Sequence, residues 1–275
     1  YFHTVCGVLR VLMLFVAGVV VVAILLGKSP MTLFAGLGAT SAVLMLVFKD
    51  TILGLAAGVR LTSNDMLHKG DWITVKSVDA NGIVEDMSLT TVKVRNFDNT
   101  IVTISPATLV NGSFQNWIGM QKSGGRRVKR IVYFDFRSIR LVDETLKHTL
   151  LAKHFATEDS FKLKESLQKA IEKDIEAGKD IEDLKNPAAL APTNLQLYRR
   201  FMEKYLRQRP EVNTELTLMV RHMEATQCGL PIEFYFFIKD KVWVNYEHIL
   251  ADIMEHAYAL ANEFGLKIYE QYPEQ

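Results

Sequence analysis

Two long uncharged stretches near the start of the sequence constrain its fold more than any other feature. Residues 29–48 contain no charged side chain, and residues 11–27 form a second such run. An α-helix rises about 1.5 Å per residue, so each run gives a helix about as long as a bilayer core is thick. The residues from Gly27 to Pro30 between them are typical of a tight turn. The pattern therefore predicts a transmembrane helical hairpin within residues 1–62.

Charge is distributed unevenly along the chain. Residues 1–48 carry only Arg10 and Lys28, which leaves 30 basic and 31 acidic residues for the remainder. Lys49, Arg60 and Lys69 follow the second run, and basic residues beside a span favour the cytoplasmic side. Because the remainder is near neutral, nucleic acid is not expected as a partner, since phosphate binding needs a clear basic excess. The first residue is not Met, so we expect the sequence to begin inside a longer protein.

Downstream of the hairpin the apolar pattern changes from helical to alternating. Four or five short strands are expected in fewer than 50 residues, which is typical of a small β-barrel of the Sm-like kind over residues 63–122. The expected strands are 72–75, 83–87, 91–96 and 101–104, with turns at Asp79–Gly82 and Asp98–Asn99.

Residues 123–275 predict a C-terminal α+β domain that begins at the hinge Ser123–Gly125. It contains a highly charged helical insert at about residues 156–210. The expected strands are 128–136, 214–223, 232–238 and 266–269. The expected helices are 142–155, one through Leu195–Leu206 capped by Thr193 or Asn194, and one through Trp243–Ala261 that buries Trp243 and Tyr258.

The second apolar run has one face of mostly small residues. Steps of three and four residues relate its members, which are Ala35, Gly38, Ala39, Ala42 and Leu46. Small residues let helix backbones approach closely. If several subunits bring this face together, Leu46 forms an apolar ring that closes a pore by dewetting. The alternative is ordinary packing against the helix Val11–Leu26, and spacing alone does not decide between the two.

Lys49 and Asp50 stand where the second run ends. One interpretation is that they reach the membrane interface and set the topology; the other is a break in the helix at the mouth of a pore. No Ser/His/Asp set, phosphate-binding glycine loop, Cys/His metal-ligand spacing or supported carboxylate pair is found in the sequence. His248, Asp252 and His256 share one face of the last helix, but three ligands in one straight line rarely surround a metal. We therefore expect neither enzymatic activity nor a metal or other cofactor.

Several motifs in a fixed order resemble the small-conductance mechanosensitive (MscS-like) ion channel family. They are the small-residue span, Lys49-Asp50, Leu55-Ala56-Ala57-Gly58, Gly70-Asp71-Trp72-Ile73 and Gly82-Ile83-Val84-Glu85. The runs Ser113–Trp117 and Gly124–Arg130, together with the insert, are similar to the miniconductance, YbdG-type branch. The resemblance covers residues 31–117 well and continues through the C-terminal domain.

This resemblance implies a homo-heptamer in a bacterial inner membrane, with the C-terminal domains in the cytoplasm. The last transmembrane helix would line the pore, the two apolar pore rings would fall on Ala42 and Leu46, and the helix break on Asp50. Membrane tension would open the channel and release ions and small osmolytes on hypo-osmotic shock, with membrane lipids as partners. Ala42 is smaller than the Leu common at the upper ring, so the seal would rest mainly on Leu46.

Two functions other than a channel are compatible with parts of the sequence. One is a non-conducting, membrane-anchored scaffold or ligand-binding protein. The other takes Gly70–Trp117 as an RNA-binding Sm-like barrel, but this segment lacks a basic, aromatic-rich surface, and the two apolar runs argue against it.

Overall fold

A computed structural model describes residues 2–162, 169, 173, 176 and 191–271. The protein divides into two compact units, residues 1–118 and 119–275. The middle of the predicted insert, residues 163–168, 170–172, 174–175 and 177–190, lies outside the described residues. The division of the chain into three domains at residues 62 and 122 stays a prediction.

The first unit opens with the two predicted apolar helices, α1 (Phe2–Leu25) and α2 (Pro30–Ser63). Both are long and apolar enough to cross a membrane. The chain turns between them at Gly27, whose φ of 63° suits a residue without a Cβ. Ser29 then caps α2, because its hydroxyl accepts a hydrogen bond from the Thr32 amide at 3.3 Å, and Pro30 fills the first helical position.

A five-stranded antiparallel sheet follows α2. Its strands are β1 (Trp72–Val75), β2 (Ala80–Met87), β3 (Val92–Asn96), β4 (Ile101–Ile104) and β5 (Gln115–Asn116), in the order β4-β3-β2-β1-β5. The short helix α3 (Pro106–Asn111) connects the last two strands. Alternate residues of β1 to β3 point inward, so Ile73, Val84 and Val94 form the core with Leu61 of α2 and Leu109 of α3. The predicted strands are confirmed within a few residues at each end.

The turn predicted at Asp79–Gly82 forms earlier in the chain than expected. Residues Lys76–Val78 make one 3-10 turn, Asp79 takes the left-handed conformation with φ of 51°, and β2 begins at Ala80. Gly82 therefore lies inside a strand rather than in the turn. It has no side chain because the backbone of Arg95 in β3 occupies the space a Cβ would need.

The second unit is the predicted α+β domain. After the short helix α4 (Ile118–Lys122), its elements are β6 (Arg126–Phe134), α5 (Glu144–Ala152), α6 (Glu158–Phe161), α7 (Asn194–Gln208), β7 (Met219–His222), β8 (Leu230–Ile238) and α8 (Trp243–Glu263). The strands form an antiparallel sheet in the order β6-β8-β7. Its inner face packs with α7 and α8 around Phe134, Tyr198 and Phe234, which are fully buried.

Several details of this unit differ from the sequence prediction. The expected strand 266–269 is a single antiparallel bridge between Phe134 and Ile268, and the expected strand 214–223 is reduced to β7. Trp243 and Tyr258 are 53% and 42% exposed, so the expectation that both are buried is wrong. Trp243 is the first residue of α8, and Tyr258 lies about 100° around the helix from the buried Ala257. Thr193 is the cap of α7, since its hydroxyl accepts from the Gln196 amide at 3.1 Å.

Asn194, the other candidate cap, is buried and joins three parts of the second unit. Its side-chain amide donates to the carbonyl oxygens of Ser138 at 2.8 Å and Phe264 at 3.1 Å. Its side-chain oxygen accepts from the backbone amide of Arg140 at 3.0 Å. A buried amide with its hydrogen bonds satisfied in this way fixes the start of α7 against the end of α8.

Candidate functional site

Helix α2 has two halves with different surroundings. Residues 30–53 contain no fully buried side chain, whereas Gly54, Ala57, Gly58 and Leu61 are buried, with Leu61 in the core of the five-stranded sheet. The first half carries the small-residue face predicted from the sequence. The second half ties that face to the folded part of the unit.

The packing of α1 shows which side of α2 is already occupied. Leu33 and Leu37 of α2 line an apolar groove together with Phe15, Val19 and Val22 of α1. Successive residues of a helix are about 100° apart around its axis, so Leu33 and Leu37 share one face of α2. This face is the one turned toward α1, although Leu37 stays 47% exposed.

The small-residue face lies on the opposite side of α2. Counted from Leu33, Ala35 is at about 200° and Ala42 at about 180° around the helix. Gly38, Ala39 and Leu46 lie within about 60° of these two positions. The structure therefore does not place the small residues against α1, which disfavours ordinary hairpin packing as the reason for their spacing.

All five predicted pore-lining residues are exposed in the protomer. Leu46 is 75% exposed, and Ala35, Gly38, Ala39 and Ala42 are likewise open. A contiguous apolar surface of this size is not stable in water, so lipid or another protein surface has to cover it. Of these two, lipid needs no small residues, whereas close helix–helix contact does.

The helix break that the resemblance implies at Asp50 is not present in this structure. Lys49 and Asp50 are both exposed and lie inside α2, which runs without interruption from Pro30 to Ser63. The physical reason is local: neither residue is Pro or Gly, and the next glycine is Gly54. Seven residues after Ala42, Lys49 continues the small-residue face, whereas Asp50 lies at its edge, about 80° from Ala42 and about 20° from Ala39.

One residue of this face, Leu53, is not among those predicted from the sequence. Leu53 stands seven residues after Leu46, so both point in nearly the same direction, and Leu53 is 49% exposed. The heptad spacing of Leu46 and Leu53 is the signal that identifies it. Between them, Lys49 places one positive charge on the same face.

The second half of α2 contacts the sheet closely at Gly58. A Cβ at this position would overlap the backbone carbonyl of Leu89, which lies in the connection between β2 and β3. Leu61, one turn later, is fully buried in the core of the sheet. The contact thus packs the second half of α2 against the five-stranded sheet, which is called the β-domain below. A tilt of the first half of α2 therefore also moves its second half.

Gly58→Ala is expected to destabilise this contact. The added methyl group meets a backbone carbonyl that cannot move aside, and such overpacking costs about 1–3 kcal/mol. The gain in helix propensity, about 1 kcal/mol, offsets this only in part. We expect a lower thermal midpoint of the detergent-purified protein in circular dichroism.

Gly54→Ala is the matched control for this prediction. Gly54 is also buried in α2, but a Cβ there meets no atom within 4 Å. This variant is expected to be neutral or stabilised by up to about 1 kcal/mol. Equal midpoints for the two variants would contradict the proposed close contact at Gly58.

Comparison with known proteins adds an independent observation. Residues 50–119 match the family model of the mechanosensitive ion channel β-domain. The chain is 34% identical over 84 residues to the small-conductance mechanosensitive channel MscMJ of Methanocaldococcus jannaschii, a match that covers 30% of this chain and 23% of that protein. It is 29% identical over 141 residues to the large-conductance channel MscMJLR of the same organism, covering 51% of this chain and 38% of that one. The chain thus spans less than half the length of these curated relatives.

Solved structures of two similar proteins cover nearly the whole chain. The cryo-EM structure of Arabidopsis thaliana MSL1 superposes with a TM-score of 0.60 at 11% identity, over 98% of this chain and 76% of that one. The closed-state crystal structure of Helicobacter pylori MscS gives a TM-score of 0.57 at 14% identity, over 99% of this chain and 83% of that one. At these identities the likeness establishes the fold. The predicted arrangement of apolar helices, β-domain and α+β domain is therefore confirmed.

Proposed function

We propose that this chain is a subunit of a homo-oligomeric mechanosensitive ion channel of the MscS family, which opens under membrane tension and releases ions and small solutes on hypo-osmotic shock. The observation that carries the proposal is the exposed small-residue face of α2, directed away from α1. The match of residues 50–119 to a mechanosensitive channel β-domain supports it.

In the proposed assembly, copies of α2 meet around a common axis with Ala35, Gly38, Ala39 and Ala42 at their closest approach. Glycine and alanine allow this approach because they hold no bulky side chain between the backbones. Leu46 then projects toward the axis as a ring of branched apolar side chains. Water leaves a narrow apolar constriction of this kind. An ion would have to lose its hydration shell to cross the dry segment, and the constriction therefore blocks it.

Membrane tension opens the proposed channel by acting on in-plane area. A state in which the helices are tilted and separated occupies more area, so tension shifts the population toward it. Because Gly58 and Leu61 fix α2 to the β-domain, the helix moves as a lever with a packed base rather than as a free segment. The ring at Leu46 widens in that motion and becomes wet.

We also propose that the channel is a heptamer, that it belongs to the miniconductance, YbdG-type branch, and that it lies in a bacterial inner membrane. Lys49, Arg60 and Lys69, which follow the second apolar run, support a cytoplasmic position for the β-domain and the α+β domain. Membrane lipids are the partners of the apolar surfaces that other subunits do not cover.

Disulfide trapping tests whether Leu46 of neighbouring subunits meets at an axis. Leu46→Cys, made with Cys6→Ser and Cys228→Ser, is expected to give covalent dimers on mild oxidation in the membrane, because two thiols bridge only when their Cα atoms lie within about 7 Å. Leu44→Cys is the control, since residue 44 lies on the same side of α2 as Leu33 and Leu37, which is turned toward α1. The readout is non-reducing gel electrophoresis.

A monomeric protein, or equal cross-linking at residues 44 and 46, would contradict the proposed assembly. Patch recording from liposomes that hold only the purified protein then separates a channel from a membrane-anchored scaffold. Suction-gated currents are expected for the channel, and none for the scaffold.

A further inference from the structure

The second unit contains a small cleft that includes none of the proposed pore residues. It has a volume of about 190 Å³ and lies between the loop that follows α5 and the exposed face of α7. Its floor is apolar and aromatic, and its rim is basic. Both properties come from the same loop and helix, and each restricts what the cleft can bind.

Two phenylalanine rings form the floor of the cleft. Phe155 comes from the loop and Phe201 from α7, and their centroids are 5.3 Å apart in an edge-to-face arrangement. Both side chains are only half-buried, so part of each ring stays open to the cleft. A ligand that places a ring or short apolar group here gains from removing this surface from water.

The rim carries Arg200 and Lys204, which are one helical turn apart on α7, and His154 from the opposite loop. Within the part of the chain that the structure describes, none of the three makes an ion pair. Two of the acidic residues around the cleft have other partners, since Asp159 pairs with Lys162, and Glu263 with Lys153. Glu158, next to the lining residue Thr157, forms no ion pair with Arg200 or Lys204. The Ser160 hydroxyl, which accepts from the Thr157 amide, adds a polar group to the lining.

A second basic cleft in the same unit shows why this absence of acidic partners matters. That cleft contains Arg137 and Arg140, but Asp135 binds Arg137 at 2.7 Å and Asp143 binds Arg140 at 2.8 Å. Its guanidinium groups are thus already neutralised by carboxylates of the protein. At Arg200 and Lys204 the described residues supply no such carboxylate, so the positive charge remains for a ligand.

We propose that this cleft binds a small organic anion, in which a phosphate or carboxylate group contacts Arg200 and Lys204 and an attached ring or short apolar group covers Phe155 and Phe201. Guanidinium and ammonium groups bind both kinds of anion through charge-assisted hydrogen bonds. Binding requires only the folded second unit and does not depend on conduction through α2.

Isothermal titration of the detergent-purified full chain tests the proposal, with phenyl phosphate, benzoate and inorganic phosphate as probes and empty micelles as the blank. We expect phenyl phosphate or benzoate to bind at least about tenfold more tightly than inorganic phosphate, because only the aryl probes cover the floor. Lys204→Gln and Arg200→Gln are each expected to weaken this binding about tenfold. Phe201→Leu, which keeps the floor apolar but removes one ring, is expected to lower the preference for the aryl probes.

Arg207→Gln is the matched control, because Arg207 is an exposed basic residue of the same helix outside the cleft. It should bind like the unchanged protein, and thermal melting of each variant verifies folding. No binding of either aryl probe, equal affinity for inorganic phosphate, or equal losses in Arg207→Gln and Lys204→Gln would each overturn the proposal. Since the measurement is made without tension or current, its result is independent of whether the protein conducts.

Discussion

Cells that produce the Leu46→Ser variant are expected to leak ions and grow poorly without any osmotic shock. The proposed seal depends on a ring of apolar side chains that water leaves spontaneously. A serine hydroxyl at each position of that ring holds water by hydrogen bonds and is smaller than a leucine side chain. The closed pore then stays wet, and the free-energy difference between the closed and open states falls.

In patch recordings we expect Leu46→Ser to open at clearly lower suction than the unchanged channel. Leu44→Ser is the matched control, since it makes the same chemical change on the side of α2 that faces α1. Expression levels of both variants are compared on immunoblots of the membranes. Normal growth together with an unchanged gating threshold would remove Leu46 from the gate.

The sequence predicted the elements of this protein well because their signals are local. Twenty uncharged residues in a row identify a helix of membrane length, and the alternation through Ile73 and Val75, or Val92 and Val94, identifies strands. Thr193 was also one of the two expected caps, since a hydroxyl just before an apolar helical pattern can accept a hydrogen bond from a free amide of the first turn. In each case the residues that carry the signal are neighbours in the chain.

The errors occurred where distant residues decide the outcome. Gly82 looks like a turn glycine, but its need for space comes from Arg95, thirteen residues later. Trp243 and Tyr258 continue an apolar pattern, yet whether they are buried depends on which side of α8, and which part of its length, packs against the rest of the unit. The strand expected at 266–269 is only one antiparallel bridge, in which Ile268 pairs with Phe134 at the end of β6.

The candidate pore face shows the same division between local and distant information. Its small residues were found from their spacing, but spacing could not say whether they meet α1 or another subunit. The groove that Leu33 and Leu37 line together with residues of α1 shows which side of α2 is turned toward α1. The uncharged run does not reach Leu53, because Lys49 and Asp50 interrupt it, whereas the helix continues through both residues and returns Leu53 to the same face.

A second apolar ring should strengthen the seal, and Ala42→Leu tests this. Residue 42 lies one turn before Leu46, about 6 Å along the helix axis, on the same face. In the unchanged protein a methyl group at this level leaves the axis wider, so the dry segment is confined to the level of Leu46. A leucine at both levels lengthens the segment that water must leave, which stabilises the closed state.

We therefore expect Ala42→Leu to raise the suction needed for opening, and to restore growth in part when it is combined with Leu46→Ser. The rescue is the stronger test, because a variant that merely damages folding raises the threshold but does not repair a leak. Val43→Leu also adds a larger apolar side chain but points about 100° away from residue 42, so it should neither raise the threshold nor rescue. If Val43→Leu rescues as well as Ala42→Leu does, the repair comes from general apolar packing in the membrane, and residue 42 does not face the axis.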